Sequence, residues 1–147
     1  MAKVSRTTTV RVRRELVWAY LSDFGHIAEW VRSIDHSCLL TDQSSGVGVV
    51  RRVQQGPRVV TETIVEWSEP ERLSYQIEGF PSLFRQVFNI WDLVDEMDLT
   101  RVTLTAEVVP VGLPVAALAW LAAWRIGGMN TRILDGLKSE LERKDLG

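Results

Sequence analysis

Few side chains in this sequence are suited to acid–base or ligand chemistry, and they are scattered. There are two histidines, His26 and His36, and one cysteine, Cys38. Their spacing matches no zinc or non-haem iron pattern, so no metal and no other cofactor is expected. Gly127-Gly128 lies within a helical pattern and is not followed by Lys-Ser or Lys-Thr, as a phosphate-cradling loop requires. No Gly-x-Ser-x-Gly elbow exposes a nucleophile. What remains are polar groups set into apolar strands. Tyr75 shares a face with Leu73 and Ile77, where its hydroxyl could donate to a ligand oxygen or be satisfied by a core neighbour. Arg85 and Asn89 share an inward-leaning face with Trp91 and suit a ketone or carboxylate, or a structural brace. His26 reads as a solvated or capping residue at the start of a short helix. His36 sits on a strand of undecided facing, within reach of any cavity.

Such groups act together only if the chain arranges them around a common space. Val17, Trp18, Leu21 and Phe24 recur at roughly helical spacing, and Ile27 and Trp30 continue that face beyond an Asp23-Phe-Gly break. Two short helices are expected there. Before them, Lys3–Val12 alternates as an edge-tolerant strand would. After them, strands are expected over 34–42, 47–53, 58–67, 72–78, 85–94 and 100–109. Turn signals recur between them, including Gln55-Gly-Pro57, Ser68-Glu-Pro70 and the acidic Asp95-Glu-Met-Asp98. This rhythm argues for a meander of antiparallel neighbours. Pro110 and Pro114 end the sheet and begin a long final helix. The order predicts one α+β domain over 1–147, a curved sheet wrapped around the last helix with a cavity between them.

Composition excludes several function classes. The net charge is −2 with both signs interspersed, so no basic face recommends nucleic acid. One cysteine rules out an internal disulfide framework and fits a reducing cytoplasm. The first residues lack the apolar core of a signal peptide. The longest apolar run, Val115 to Trp124, is about half the roughly 20 residues a membrane span needs.

The last helix and two loops carry further signals. At 100° per residue, Val115, Ala119, Ala122, Ile126, Met129, Ile133 and Leu137 form one stripe, expected to face the sheet. Its small residues are expected to leave space beneath the helix. Gly127-Gly128 suggests a hinge, since each glycine weakens a helix by roughly 1 kcal/mol relative to alanine. Trp120, Leu121 and Trp124 fall on the opposite side and call for a partner: a second copy in a homodimer, another protein, or peripheral contact with a membrane. Phe80, Leu83 and Phe84 sit in a connection that should be exposed, and Gln54-Gln-Gly-Pro-Arg58 is short enough to gate a cavity.

Val17-Trp-Ala-Tyr-Leu-Ser-Asp-Phe24, Ile27-x-x-Trp30, Gly46-Val-Gly-Val-Val-Arg51, Thr61-Glu62, Glu69-Pro-Glu-Arg-Leu-Ser-Tyr75 and Leu137-Lys-Ser-Glu-Leu-Glu142 occur in an order that resembles a known family. It is the polyketide cyclase/dehydrase and lipid-transport group of the START-like (Bet v 1-like, SRPBCC) superfamily. The resemblance implies a helix-grip fold: a seven-stranded antiparallel sheet around a C-terminal helix. Two positions depart from the family pattern. No proline follows Trp30, and Leu104 stands where a tryptophan is common. The resemblance also implies that Arg51 and Glu62 point into the cavity. Periodicity alone disagrees, placing Val59, Thr61, Thr63, Val65 and Trp67 inside and Glu62 in water. A buried charge must be paired or neutralised, so a mutual salt bridge is expected if the pair is internal.

The expected pocket has roughly the 300–1,000 Å³ usual for small-molecule sites. Its walls are expected to include Val49, Arg51, Glu62, Tyr75, Ile77, Trp91, Leu104 and Ala122. Trp30, Phe80, Phe84, Asn89 and Ile126 are further expected contacts. Three functions follow. The chain holds an apolar, polyketide- or lipid-like molecule as carrier or sensor. It is a cyclase or dehydratase in which Arg51, Glu62, Tyr75 or Arg85 polarises a carbonyl and moves protons. Or it is an interaction module working through the Trp120/Trp124 face.

Overall fold

The structure is a computed structural model that describes residues 1–80 and 84–146. Strand β1 (Ala2–Val10) leads into helix α1 (Arg14–Ser22) and a 3-10 segment, Phe24–Glu29. Then come β2 (His36–Leu39), β3 (Val50–Gln55), β4 (Arg58–Ser68), β5 (Arg72–Glu78), β6 (Phe84–Glu96) and β7 (Leu99–Pro110). Helix α2 (Ala116–Leu146) completes the chain after a short 3-10 turn at Leu113–Val115. The seven strands form one antiparallel sheet in the order β1-β7-β6-β5-β4-β3-β2. The long helix packs against β1 and β7. This is the helix-grip arrangement expected from the sequence. No helix among the described residues is long and apolar enough to cross a membrane.

Alternation sets the inner face where strands are regular. In β7, Val102, Leu104, Ala106 and Val108 are fully buried, and in β5 the buried residues include Leu73, Tyr75 and Ile77. In β4 the simple alternation fails. The pairing slips between Ile64 and Glu66, a bulge that puts Ile64 opposite Tyr75 and Trp67 opposite Leu73. One extra residue thus lets Glu62, Ile64 and Trp67 face the same way, while Val59 and Val65 stay exposed. The facing implied by the family resemblance, with Glu62 inside, holds against the periodicity.

Strand β3 begins later than its apolar run. The chain before β3 turns at Gly46 and Gly48, whose φ values of 88° and 101° favour glycine. The Gln43 amide ties this turn down by donating to the carbonyls of Ser45 and Val47. The ladder therefore begins at Val50 instead of Val47.

Helix α2 runs unbroken through Gly127-Gly128, and the first glycine serves packing. A Cβ on Gly127 would stand 2.6 Å from Cγ1 of Val4. Ala119, Ala123, Ile126, Leu134, Leu137 and Leu141 are buried, whereas Ala122, Met129 and Ile133 are only half-buried. The buried stripe is thus turned slightly from the expected one. Its small residues bring the helix down onto β1 and β7; they do not hold space open.

Candidate functional site

Where α2 leaves the sheet, beside β3, β4 and β5, it covers a cavity of about 60 Å³. This is well below the expected size. Its walls are mostly apolar: Ile126, Met129 and Ile133 from α2, Ile27 and Ile34 from the segments after α1, and Val53, Val60 and Ile77 from the sheet. Gln55 and Arg58, at either side of the β3–β4 turn, and Phe80 also line it. The guanidinium of Arg58 lies 5.8 Å from the centre of the Phe80 ring. The two loops singled out in the sequence therefore both contribute to the wall. Leu83 lies outside the described residues.

The charged pair sits on adjacent strands, Arg51 of β3 directly opposite Glu62 of β4. Both are buried. Arg51 Nε and Nη2 each approach Glu62 Oε1 at 2.7 Å, and Nη1 donates to the Phe24 carbonyl at 2.8 Å. The guanidinium also lies over the rings of Phe24, at 3.7 Å, and Tyr75, at 4.8 Å. Such enclosure compensates the loss of water around the cation. It also ties the 3-10 segment to the sheet. Glu62 lines the cavity, and Arg51 engages only its Oε1.

A neutral polar cluster lies beside this pair. Asn89 of β6 and Asn130 of α2 exchange amide hydrogen bonds of 2.9 and 3.2 Å, and Asn89 Nδ2 also lies 3.3 Å from the Tyr75 hydroxyl. All three residues are buried, and all three line the cavity. Burial pushes the Tyr75 pKa above its ordinary value, and the nearby Glu62 charge adds to this; Arg51 and hydrogen bonds from Trp91 and Asn89 oppose it. Tyr75 thus remains a neutral hydroxyl at physiological pH. Asn130 was not among the residues expected from the sequence. Its signal was present: it lies four residues after Ile126 and four before Leu134, a polar residue within an apolar helical stripe.

Of the expected wall, Arg51, Glu62, Tyr75, Ile77, Phe80, Asn89 and Ile126 do line the cavity. Trp91 and Trp30 lie under it, edge to face with centroids 6.5 Å apart. With Leu21, Phe24 and Leu73 they enclose a second void of only about 10 Å³. The aromatic floor that they form with Phe24 and Tyr75 is one reason the main cavity is small. Val49 and Leu104 are fully buried but outside its wall, and Ala122 packs half-buried against the core away from it. Phe84 packs half-buried against the core. Arg85 is exposed, because the pairing of β6 with β7 slips between Phe84 and Gln86 and breaks the alternation at that point. His36 is exposed on β2, and His26 is held by Asp23 at 2.6 Å on the surface.

The arrangement has counterparts among solved structures, with identities so low that they speak for the fold alone. The protein XoxI from Bacillus cereus superposes with a TM-score of 0.78 at 16% identity, covering 99% of both chains. A START superfamily protein from Mycobacterium smegmatis gives 0.72 at 16%, covering 97% of this chain and 99% of its own. The Zhui aromatase/cyclase from Streptomyces sp. R1128 gives 0.73 at 19%, covering 97% and 94%. No curated protein matches the sequence. The decisive match is to a family model, polyketide cyclase / dehydrase and lipid transport, which spans residues 1–142 and so takes in the grip, the charged pair and the asparagine cluster alike; the chain belongs to that family.

Proposed function

We propose that this protein binds a hydrophobic small molecule carrying one polar group, with its apolar part between α2 and the sheet. The observation that carries this reading is a cavity with largely aliphatic walls on which Tyr75, Asn89, Asn130 and the Arg51–Glu62 pair converge, with Gln55 and Arg58 at the β3–β4 turn. A small apolar site with a few convergent polar groups is the usual form of a ligand pocket. A ligand larger than the 60 Å³ cavity requires its wall to open, and Phe80, Arg58 and Met129 are among the residues that line it.

Carrier or sensor is favoured over catalyst by the state of the polar groups. Arg51 is already committed to Glu62 and the Phe24 carbonyl, and Tyr75 is held as a neutral donor or acceptor. Such groups orient a carbonyl or hydroxyl without exchanging protons near neutrality. Cyclase or dehydratase chemistry is the second reading, favoured by family membership. There Tyr75 and the asparagine amides polarise a ketone while Glu62 accepts a proton.

Thermal unfolding with a panel of medium-chain acids, alcohols, ketones and small aromatic polyketides tests the binding. A ligand at a hundred times its dissociation constant stabilises by about 2.7 kcal/mol. At least one class should raise the Tm of the wild type but not of Ile126→Trp, whose indole fills the cavity. No shift with any class, or an equal shift in the filled variant, contradicts the proposal.

A further inference from the structure

One side of α2 takes no part in the grip. Leu118, Trp120, Leu121 and Trp124 are all exposed, the two tryptophans by 54% and 62%. Arg125, Gly128 and Arg132 lie on the same side, opposite buried Ala119, Ala123, Ile126 and Asn130. Beside Trp124 an open groove of about 290 Å³ is bounded by Arg6 of β1 and by Arg125, Gly128, Met129 and Arg132. The Arg6 guanidinium lies over Gly127, where a Cβ would stand 3.4 Å from its carbon, an ordinary contact distance. Among the described residues Arg6, Arg125 and Arg132 form no ion pair. The sequence holds no Asp or Glu between Glu107 and Asp135. Exposed tryptophan and leucine therefore lie next to three arginines, with Asp135 the first carboxylate beyond them along the helix.

We propose that this face docks the protein onto an anionic phospholipid surface. Trp120, Leu121 and Trp124 enter the interfacial layer, and Arg6, Arg125 and Arg132 take the lipid phosphates. Tryptophan is favoured at that depth because one edge is apolar and the other carries an N–H. Basic side chains flanking the apolar side of a helix are the pattern of an interfacial helix. A second copy of the chain fits less well. A two-fold contact would bring the same three arginines to both sides, against one carboxylate, Asp135, at the far end of that helix face. The proposal does not depend on what occupies the cavity.

Flotation with phosphatidylcholine vesicles, with and without phosphatidylglycerol, tests it. The wild type is expected to float with the anionic vesicles, to bind neutral ones far more weakly, and to be released as salt rises. Its tryptophan emission should shift to the blue on binding; the other four tryptophans are buried or half-buried, so the shift reports Trp120 and Trp124. Trp120→Ser/Trp124→Ser should lose both responses. Gly128→Glu is the sharper variant. A side chain there meets nothing within 4 Å, so the fold tolerates it while a carboxylate enters the arginine groove. It should lower partitioning by roughly fivefold or more, and Gly128→Lys should raise it by a similar factor, the effect of one charge near the surface. Any one of several results overturns the proposal: no binding by the wild type, equal binding to neutral and anionic vesicles, insensitivity to Gly128→Glu, displacement by inorganic phosphate at matched ionic strength, or a stable dimer that buries the two tryptophans.

Discussion

At one end of the grip, Trp18 meets Trp67 edge-on at 5.2 Å, and Val10, Val17, Leu93, Val102 and Leu137 are buried together in the core. Thr100 is buried there too, and its hydroxyl donates to the Val12 carbonyl at 2.8 Å. At the other end the same sheet face carries Arg51, Glu62, Tyr75 and Asn89, with Asn130 above them and a cavity between. Polar groups are costly to bury and contribute least when a well-packed apolar alternative is available. On the proposed function, the end filled with aliphatics, the dry end, holds the fold, and the hydrogen-bonded cluster at the other, the wet end, serves recognition.

The largest test of that contrast is Glu62→Ala. It strands Arg51 among Phe24 and Tyr75 and should cost about 3–5 kcal/mol in urea unfolding. Replacing both partners, Arg51→Met with Glu62→Leu, should restore most of that stability. A loss within about 0.5 kcal/mol for the single change, typical of surface positions, would mean the pair is not sealed. At the dry end, Leu137→Ala should cost about 2–5 kcal/mol through the cavity it leaves. Ligand affinity measured on the folded fraction should not change; if it falls, the two ends are not separate.

Asn130→Leu should be milder, about 1–3 kcal/mol, because Asn89 loses its reciprocal partner. It should also alter which ligands bind, read by the same thermal panel. The neighbouring glycines sharpen the picture further. Gly127→Ala forces a Cβ against Val4 and should destabilise by about 1–3 kcal/mol. Gly128→Ala, with open space around it, should stabilise by roughly 0.5–1 kcal/mol. The smallest effect is expected at His26, exposed on the surface. Its hydrogen bond to Asp23, and then the Asp23 charge, raise its pKa above 6.5. That stabilisation is complete below pH 6.5 and fades as pH rises through the higher folded value. Comparing the pH dependence of Tm in wild type and Asp23→Asn should show a slight slope only in the former.

The contrast was partly legible in the sequence. The succession of strands along the chain, the two short helices and the long final helix followed from periodicity and turn residues, because those signals are local; the pairing of β1 with β7 is not a local signal. The facing of β5 and β7 followed in the same way. The facing of β4 did not, since a single bulged residue reverses the alternation and leaves no composition signal; family resemblance placed Glu62 correctly where periodicity failed. The cavity size was misjudged for a related reason. Small residues such as Ala119 and Ala122 read equally as room left open or as close approach, and the contact of nearby Gly127 with Val4 decides for close approach. Asn130 was the most informative polar residue passed over, one amide in an aliphatic stripe.

The central claim, that the wet end holds an apolar small molecule, is tested most directly by native mass spectrometry of the protein isolated gently from its own source. The account predicts a mass above that of the chain by one small molecule, extractable into organic solvent and absent from Ile126→Trp prepared in parallel. A wild-type protein that carries nothing, or an adduct that the filled variant retains, would contradict it.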